Sequence, residues 1–139
     1  MSTEASYTKP LPRIDAQTAP HWEGARAGKL RVQRCKTCGT LRYPPNRWCA
    51  QCRSDEMDWI DVSGKGQVWS WCIFHRQYFK GFETEIPYAV VLVELDEGLR
   101  LYSNLIDVPH DRIRIGMRVH AAFERVTDDV TLVKFREDK

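Results

Sequence analysis

Cys35-Lys36-Thr37-Cys38 and Cys49-Ala50-Gln51-Cys52 are two Cys-x2-Cys pairs separated by ten residues. Each pair fits a knuckle turn that aims two thiolates at one point, and the spacer is long enough to fold back and bring the knuckles together. Four thiolates at about 2.3 Å fill a tetrahedral zinc site and leave no position for a reactive water, so such a site is structural. Four thiolates also suit iron, which keeps a rubredoxin-like electron carrier as an alternative. The spacer holds Tyr43-Pro44-Pro45, an extended segment that excludes a helix. Arg53 stands after the second pair where glycine would relax the turn, as Gly39 does after the first.

Around this centre lie 139 residues, enough for one domain or two small modules sharing a core. The chain is 42% hydrophobic and 29% charged, which excludes disordered and collagen-like classes. Its longest apolar run, residues 88–93, is far shorter than the ~20 residues that cross a bilayer. The first residues, Met1-Ser2-Thr3-Glu4, show no secretory pattern, so a cytoplasmic location is expected. Residues 1–54 hold ten Lys/Arg against three Asp/Glu, and residues 55–139 hold eleven against sixteen. The basic first part suits phosphates, whether of a nucleic acid or of a nucleotide-bearing ligand. The acidic second part opposes a nucleic-acid chain.

Residues 1–17 read as a flexible arm. Thr18 as N-cap and Pro20 in the first turn open a short helix over about 19–27, stopped by Gly28, with Trp22 and Ala25 making its apolar contact. Residues 29–34 lead into the ribbon as a strand. After Cys52 come short strands and turns. Residues 68–76 are rich in β-formers and apolar on both faces, as a buried barrel strand would be, with Cys72 in the core. Residues 76–87 form a long aromatic loop. Residues 88–95 and 99–106 form a hairpin about Asp96-Glu97-Gly98, the latter with Leu99, Leu101, Ser103 and Leu105 on one face. A connector at 109–116 with room for a helical turn precedes strands at 117–126 and 130–135. Five strands with a break between the third and fourth fit an OB barrel. The expected fold is mainly β: a short N-terminal helix and four-cysteine ribbon over 18–60, then a five-stranded OB-fold barrel over 61–137.

No nucleophile stands with a base at a recognisable spacing, so no catalytic residue is assigned. His21, His110 and His120 read as packing or surface residues. The candidate ligand-binding residues are Arg42 and Arg47, free to face solvent or phosphate, and His75, Arg76, Tyr78, Phe79 and Phe82 at the aromatic loop.

Further motifs join the cysteines: His21-Trp22-Glu23, Gly28-Lys29-Leu30, Tyr43-Pro44-Pro45, Ser63-Gly64-Lys65-Gly66-Gln67-Val68, Pro87-Tyr88-Ala89-Val90-Val91, Glu94-Leu95-Asp96-Glu97-Gly98 and Ile115-Gly116-Met117-Arg118-Val119. Over residues 18–137 the chain resembles the zinc-ribbon/OB-fold acyl-CoA-associated proteins of domain of unknown function 35. It departs from them at Asn46, where the family usually has Arg, and at Ala50 and Arg53, where the second knuckle usually has Pro and Gly. The resemblance implies a small, non-catalytic partner subunit of a thiolase-fold enzyme, either a thiolase or a lipid-transfer-protein-like aldolase, binding acyl-CoA and holding structural Zn2+ at Cys35, Cys38, Cys49 and Cys52. It implies no membrane partner. The alternative from a different class is a zinc-ribbon/OB module for single-stranded nucleic acid.

Overall fold

The computed structural model describes residues 9–138. Of the arm expected at 1–17, residues 1–8 therefore lie outside the described residues. Two sheets follow one helix. The first, of three strands, has the order β2-β1-β3 and comprises β1 (Leu30–Cys35), β2 (Leu41–Arg42) and β3 (Met57–Val62). The second is a closed five-stranded barrel of order β4-β5-β6-β8-β7: β4 (Lys65–Phe74), β5 (Tyr88–Leu95), β6 (Arg100–Leu105), β7 (Arg118–Arg125) and β8 (Thr131–Glu137). The mainly β class, the helix, the ribbon and the barrel are those read from the sequence.

Helix α1 (Ala19–Arg26) begins with proline in its first turn, as expected. Thr18 occupies the N-cap position, but its side chain caps no helix N–H; Thr18 N instead donates to Asp15 Oδ1 at 3.0 Å. The helix buries His21, Gly24 and Ala25. Gly24 is required here, because a Cβ would stand 2.7 Å from the Cβ of Arg31. His21 packs at a tilt against Tyr43, with ring centroids 5.3 Å apart, and is bonded through Nδ1 to Arg31 O at 3.1 Å, a packing role.

β3, not singled out in the sequence, pairs antiparallel with β1 from Leu30↔Val62 to Cys35↔Met57. Its two aspartates face arginines directly across: Asp61 with Arg31 at 2.7 Å and Asp58 with Arg34 at 3.0 Å. Only two residues separate β3 from β4. The core is continuous across that junction, running from Leu30 and Val32 on β1 to Val68, Val91, Val93, Val119 and Phe135 in the barrel.

β5 shows strict alternation, with Ala89, Val91, Val93 and Leu95 inward. The connector before β7 contains a short 3-10 turn, His110–Arg112. β4 departs from expectation. Its pairing with β7 covers only Lys65–Gln67 and ends in bonds between Val68 and the Gly116–Met117 backbone. A bulge follows, since Val68 pairs with Val93 and Ser70 with Leu92, leaving Trp69 unpaired. Beyond it the strand pairs with β5 alone, the bulge having shifted its register. Trp69 and Trp71 are consequently 44% and 36% exposed, and Cys72 is exposed rather than in the core. No helix among the described residues is long and apolar enough to cross a membrane.

Candidate functional site

The ribbon brings the four motif cysteines together, all sulfurs lying within 4.8 Å of one another. Cys35 and Cys52 are 3.5 Å apart, and Cys38 and Cys49 are 3.6 Å apart. A tetrahedron of sulfurs around zinc has edges of about 3.8 Å, so the cluster is close to the size of a filled site. The two knuckles are built alike. Cys35 N donates to Thr40 O at 2.9 Å and Gly39 N to Cys35 O at 2.9 Å; Cys49 N donates to Ser54 O at 2.9 Å and Arg53 N to Cys49 O at 2.8 Å. Arg53 adopts φ +65° where Gly39 has φ +79°. The second knuckle nevertheless keeps an N–H···S bond, from Gln51 N to Cys49 Sγ at 3.4 Å.

These turns set the thiol chemistry. The backbone N–H groups of Cys52 and Gln51 pull Cys49 down to about 6. The Cys38 backbone likewise holds Cys35 below its ordinary value. At Cys52 the Ser54 N–H acts downward, but desolvation and the three neighbouring sulfurs outweigh it and push the thiol up to about 12. Four sulfurs packed this closely cannot all ionise unaided, whereas a divalent cation at their centre makes all four thiolates favourable. The donor set therefore fits a tetrahedral metal held by Cys35, Cys38, Cys49 and Cys52, and its closure leaves no position for an activated water.

The candidate ligand residues divide. Arg42 does not face solvent or phosphate: it is 9% exposed, and its Nε donates to Gln33 Oε1 at 2.8 Å. Gln33 is fully buried on β1, and its Oε1 also accepts from Asn46 N at 2.8 Å, so this shared amide oxygen ties the spacer to the sheet. Arg47 is exposed and lies over the Trp48 ring at 4.8 Å. His75, Arg76, Tyr78 and Phe79 are exposed on the loop after β4, with Arg76 over Tyr78 at 5.7 Å and Tyr78 edge-on to Phe74 at 5.8 Å. Phe82 is half-buried and packs on Tyr88 at 5.5 Å. Glu83 orders this loop, its Oε1 accepting from Gln77 Nε2 at 3.0 Å and from Gly81 N at 3.1 Å.

Phe82 reaches a cleft of about 390 Å³ at one end of the barrel, whose walls include Lys9, Glu85, Tyr88, Asn104 and Lys134. Arg42 and Arg47 are not among its walls. Lys9 bonds to Glu85 at 2.9 Å and sits over the Phe82 ring at 5.4 Å. Lys134, largely buried, pairs with Glu124 at 3.0 Å. Sequence reasoning passed over both lysines. A lysine between Val133 and Phe135 in an apolar strand was the available signal for Lys134; Lys9, in a polar segment, offered none.

The model for the ChsH2 rubredoxin-like zinc ribbon domain matches residues 22–58, and that for the ChsH2 C-terminal OB-fold domain matches residues 59–124. The chain is 40% identical over 128 residues to a probable enoyl-CoA hydratase alpha subunit of Thermomonospora curvata, covering 92% of this chain but only 40% of that protein. It is 38% identical over 97 residues to a DUF35 domain-containing scaffold protein of Methanocaldococcus jannaschii, covering 69% and 68% of the two chains. Among solved structures it is similar to a chain of an Ltp2-ChsH2(DUF35) aldolase, with 39% identity and a TM-score of 0.79 over 91% of this chain and 98% of that one.

Proposed function

We propose a function from the premise that this chain belongs to the DUF35 family of zinc-ribbon and OB-fold proteins: it is a non-catalytic, zinc-containing subunit that assembles with a thiolase-fold enzyme and helps to hold that enzyme's acyl-CoA substrate. The observation that carries this reading is the near full-length likeness to one chain of an aldolase assembly, combined with a four-cysteine cluster whose closure leaves no room for reactive water. Zinc, when bound, supplies a cross-link and no reactive oxygen. Cys35 and Cys38 then fix the end of β1, Cys49 and Cys52 fix the start of the path into β3, and the barrel is presented in a set orientation. Reduced thiols of this kind suit the cytoplasm.

Catalysis belongs to the partner in this reading. The chain offers the exposed aromatics Tyr78 and Phe79, the cleft beside Phe82, and the cations Arg76 and Arg47 for contacts with a phosphate-bearing thioester. The basic surplus of the ribbon supports a nucleic-acid role poorly. Arg31 and Arg34 are paired with aspartates and Arg42 is buried, so three of the ribbon's cations are already engaged within the protein.

The test is affinity purification of the tagged chain from its native host, followed by mass spectrometry and a CoA-thioester assay. A thiolase-fold protein is expected near one-to-one, with activity that falls when this chain is removed. A partner fully active alone, or nucleic acid in place of any such enzyme, overturns the proposal. Within the complex, Phe82→Ala is expected to weaken acyl-CoA retention; unchanged retention removes the loop from the site.

A further inference from the structure

The barrel closes through only the first three residues of β4, Lys65–Gln67, against β7. After the Trp69 bulge, residues 70–74 pair with β5 on one side. Among the described residues no backbone hydrogen bond reaches their other side. Half the N–H and C=O groups of this segment thus point outward along an open strand edge. Folded proteins usually blunt such edges with charge, proline or a covering element. Here the edge reads Ser70-Trp71-Cys72-Ile73-Phe74, with neither charge nor proline. It is flanked by exposed Trp69 and, across the sheet through Leu92, by Tyr102, which is 73% exposed.

We propose that this open edge is a docking site for an extended strand of the thiolase-fold partner, added to the barrel sheet beside β4. The inference rests on the functional reading above. The unmet backbone groups select an extended backbone as the occupant, and the indoles select apolar side chains at alternate positions. The surrounding charge selects its ends. Arg100, which covers Trp69 at 3.7 Å, and Arg76 after the strand are the nearby cations. The acid at the Gln67 end, Glu94, is already held by Arg100 at 3.1 Å and Gln67 at 3.3 Å. The docking strand therefore carries an acidic residue toward the Arg76 end. A second copy of this chain fits less well, because it would bring a second bulge and a second pair of bulky indoles to the same edge.

The test uses the zinc-loaded full chain, alone and in its purified complex. Amide hydrogen exchange is followed over residues 69–74, and N-ethylmaleimide labelling at Cys72, the exposed cysteine outside the metal cluster. Complex formation is expected to slow both by at least about tenfold. Ser70→Lys, at an exposed position, is expected to keep zinc while weakening the complex about tenfold or more. Should Ser70→Lys not fold, wild-type protein alkylated at Cys72 serves in its place. A complex that forms while leaving exchange and labelling unchanged overturns the docking site and leaves the functional reading standing. Failure to isolate any complex overturns both. Protection that appears in the chain alone as concentration rises assigns the edge to a second copy and overturns the proposed occupant.

Discussion

Arg53→Gly is expected to stabilise the metal-loaded protein, and the two matched knuckles allow the size of the effect to be worked out. The residue after each Cys-x2-Cys pair must take a left-handed backbone, at φ +79° for Gly39 and φ +65° for Arg53. An L side chain pays roughly 1–2 kcal/mol for that conformation. Glycine avoids this but brings about 0.5–1 kcal/mol of extra unfolded-chain entropy. The difference favours glycine by about 0.5–1 kcal/mol. Arg53 is exposed, and no ion pair to it is found among the described residues, so little is lost with its side chain. At about 3–4 °C per kcal/mol for a chain of this length, Tm should rise by about 2–4 °C. Gly39→Ala is the mirror experiment. No atom lies within 4 Å of the Cβ it would add, so its expected loss of about 1 kcal/mol is a backbone effect alone. The assay is thermal unfolding by circular dichroism at fixed free zinc, because bound metal itself shifts Tm. Arg53→Lys is the control for charge and length. A Tm that does not rise in Arg53→Gly, or a Gly39→Ala protein as stable as wild type, refutes the reasoning.

Gly66→Ala should lose about 3 kcal/mol or more, because the added Cβ collides with Glu94 O and lies 2.9 Å from Leu95 Cα, both backbone atoms of β5; urea denaturation measures it. Burial holds His21 below its ordinary 6.5, against a weaker opposing bond to Arg31 O. Its stabilising contribution is complete above about pH 6.5 and is lost as pH falls toward the lower folded value, since the unfolded chain binds the proton first. Wild type should therefore lose stability more steeply than His21→Asn as pH falls below about 6.5; parallel pH profiles would count against a buried neutral histidine. Chelation of zinc, or Cys38→Ser, should unfold the ribbon and abolish partner binding, as metal affinity in small sites is folding energy. The checks are loss of protection at β1–β3 amides and failure to co-purify; normal docking without metal would oppose it.

Much of the architecture was legible because its signals are local. The knuckle spacing is a statement about four residues, and β5 alternates so regularly that both of its ends were read correctly. What was hidden depends on partners distant in sequence. β3 contains Asp58 and Asp61, which weaken its strand character until Arg34 and Arg31 are seen opposite them. Arg42 looks like a surface residue until Gln33, nine residues earlier, is found buried with its carbonyl turned toward it. The apolar run of β4 was visible, but its burial was not. Whether such a run faces in or out depends on where β7 stops pairing and where a bulge moves the register, and neither has a local mark. The four-cysteine cluster was thus the most legible part of the site, and the barrel-end cleft the least.

The two-residue link between β3 and β4, under a core shared by Leu30, Val32 and the barrel valines, bears on how this protein can be rebuilt. The family boundary at residues 58 and 59 suggests two interchangeable parts. Physically there is no joint there. A chimera cut at that point would split β3 itself, taking Ile60 and Val62 away from their partners Val32 and Leu30 on β1 and leaving those two core side chains facing a foreign surface. A graft that worked would have to carry those two side chains and their barrel contacts together. The ribbon and barrel are therefore expected to be inherited, exchanged and engineered as one piece, with new specificity entering through the loops and not through recombination at the seam.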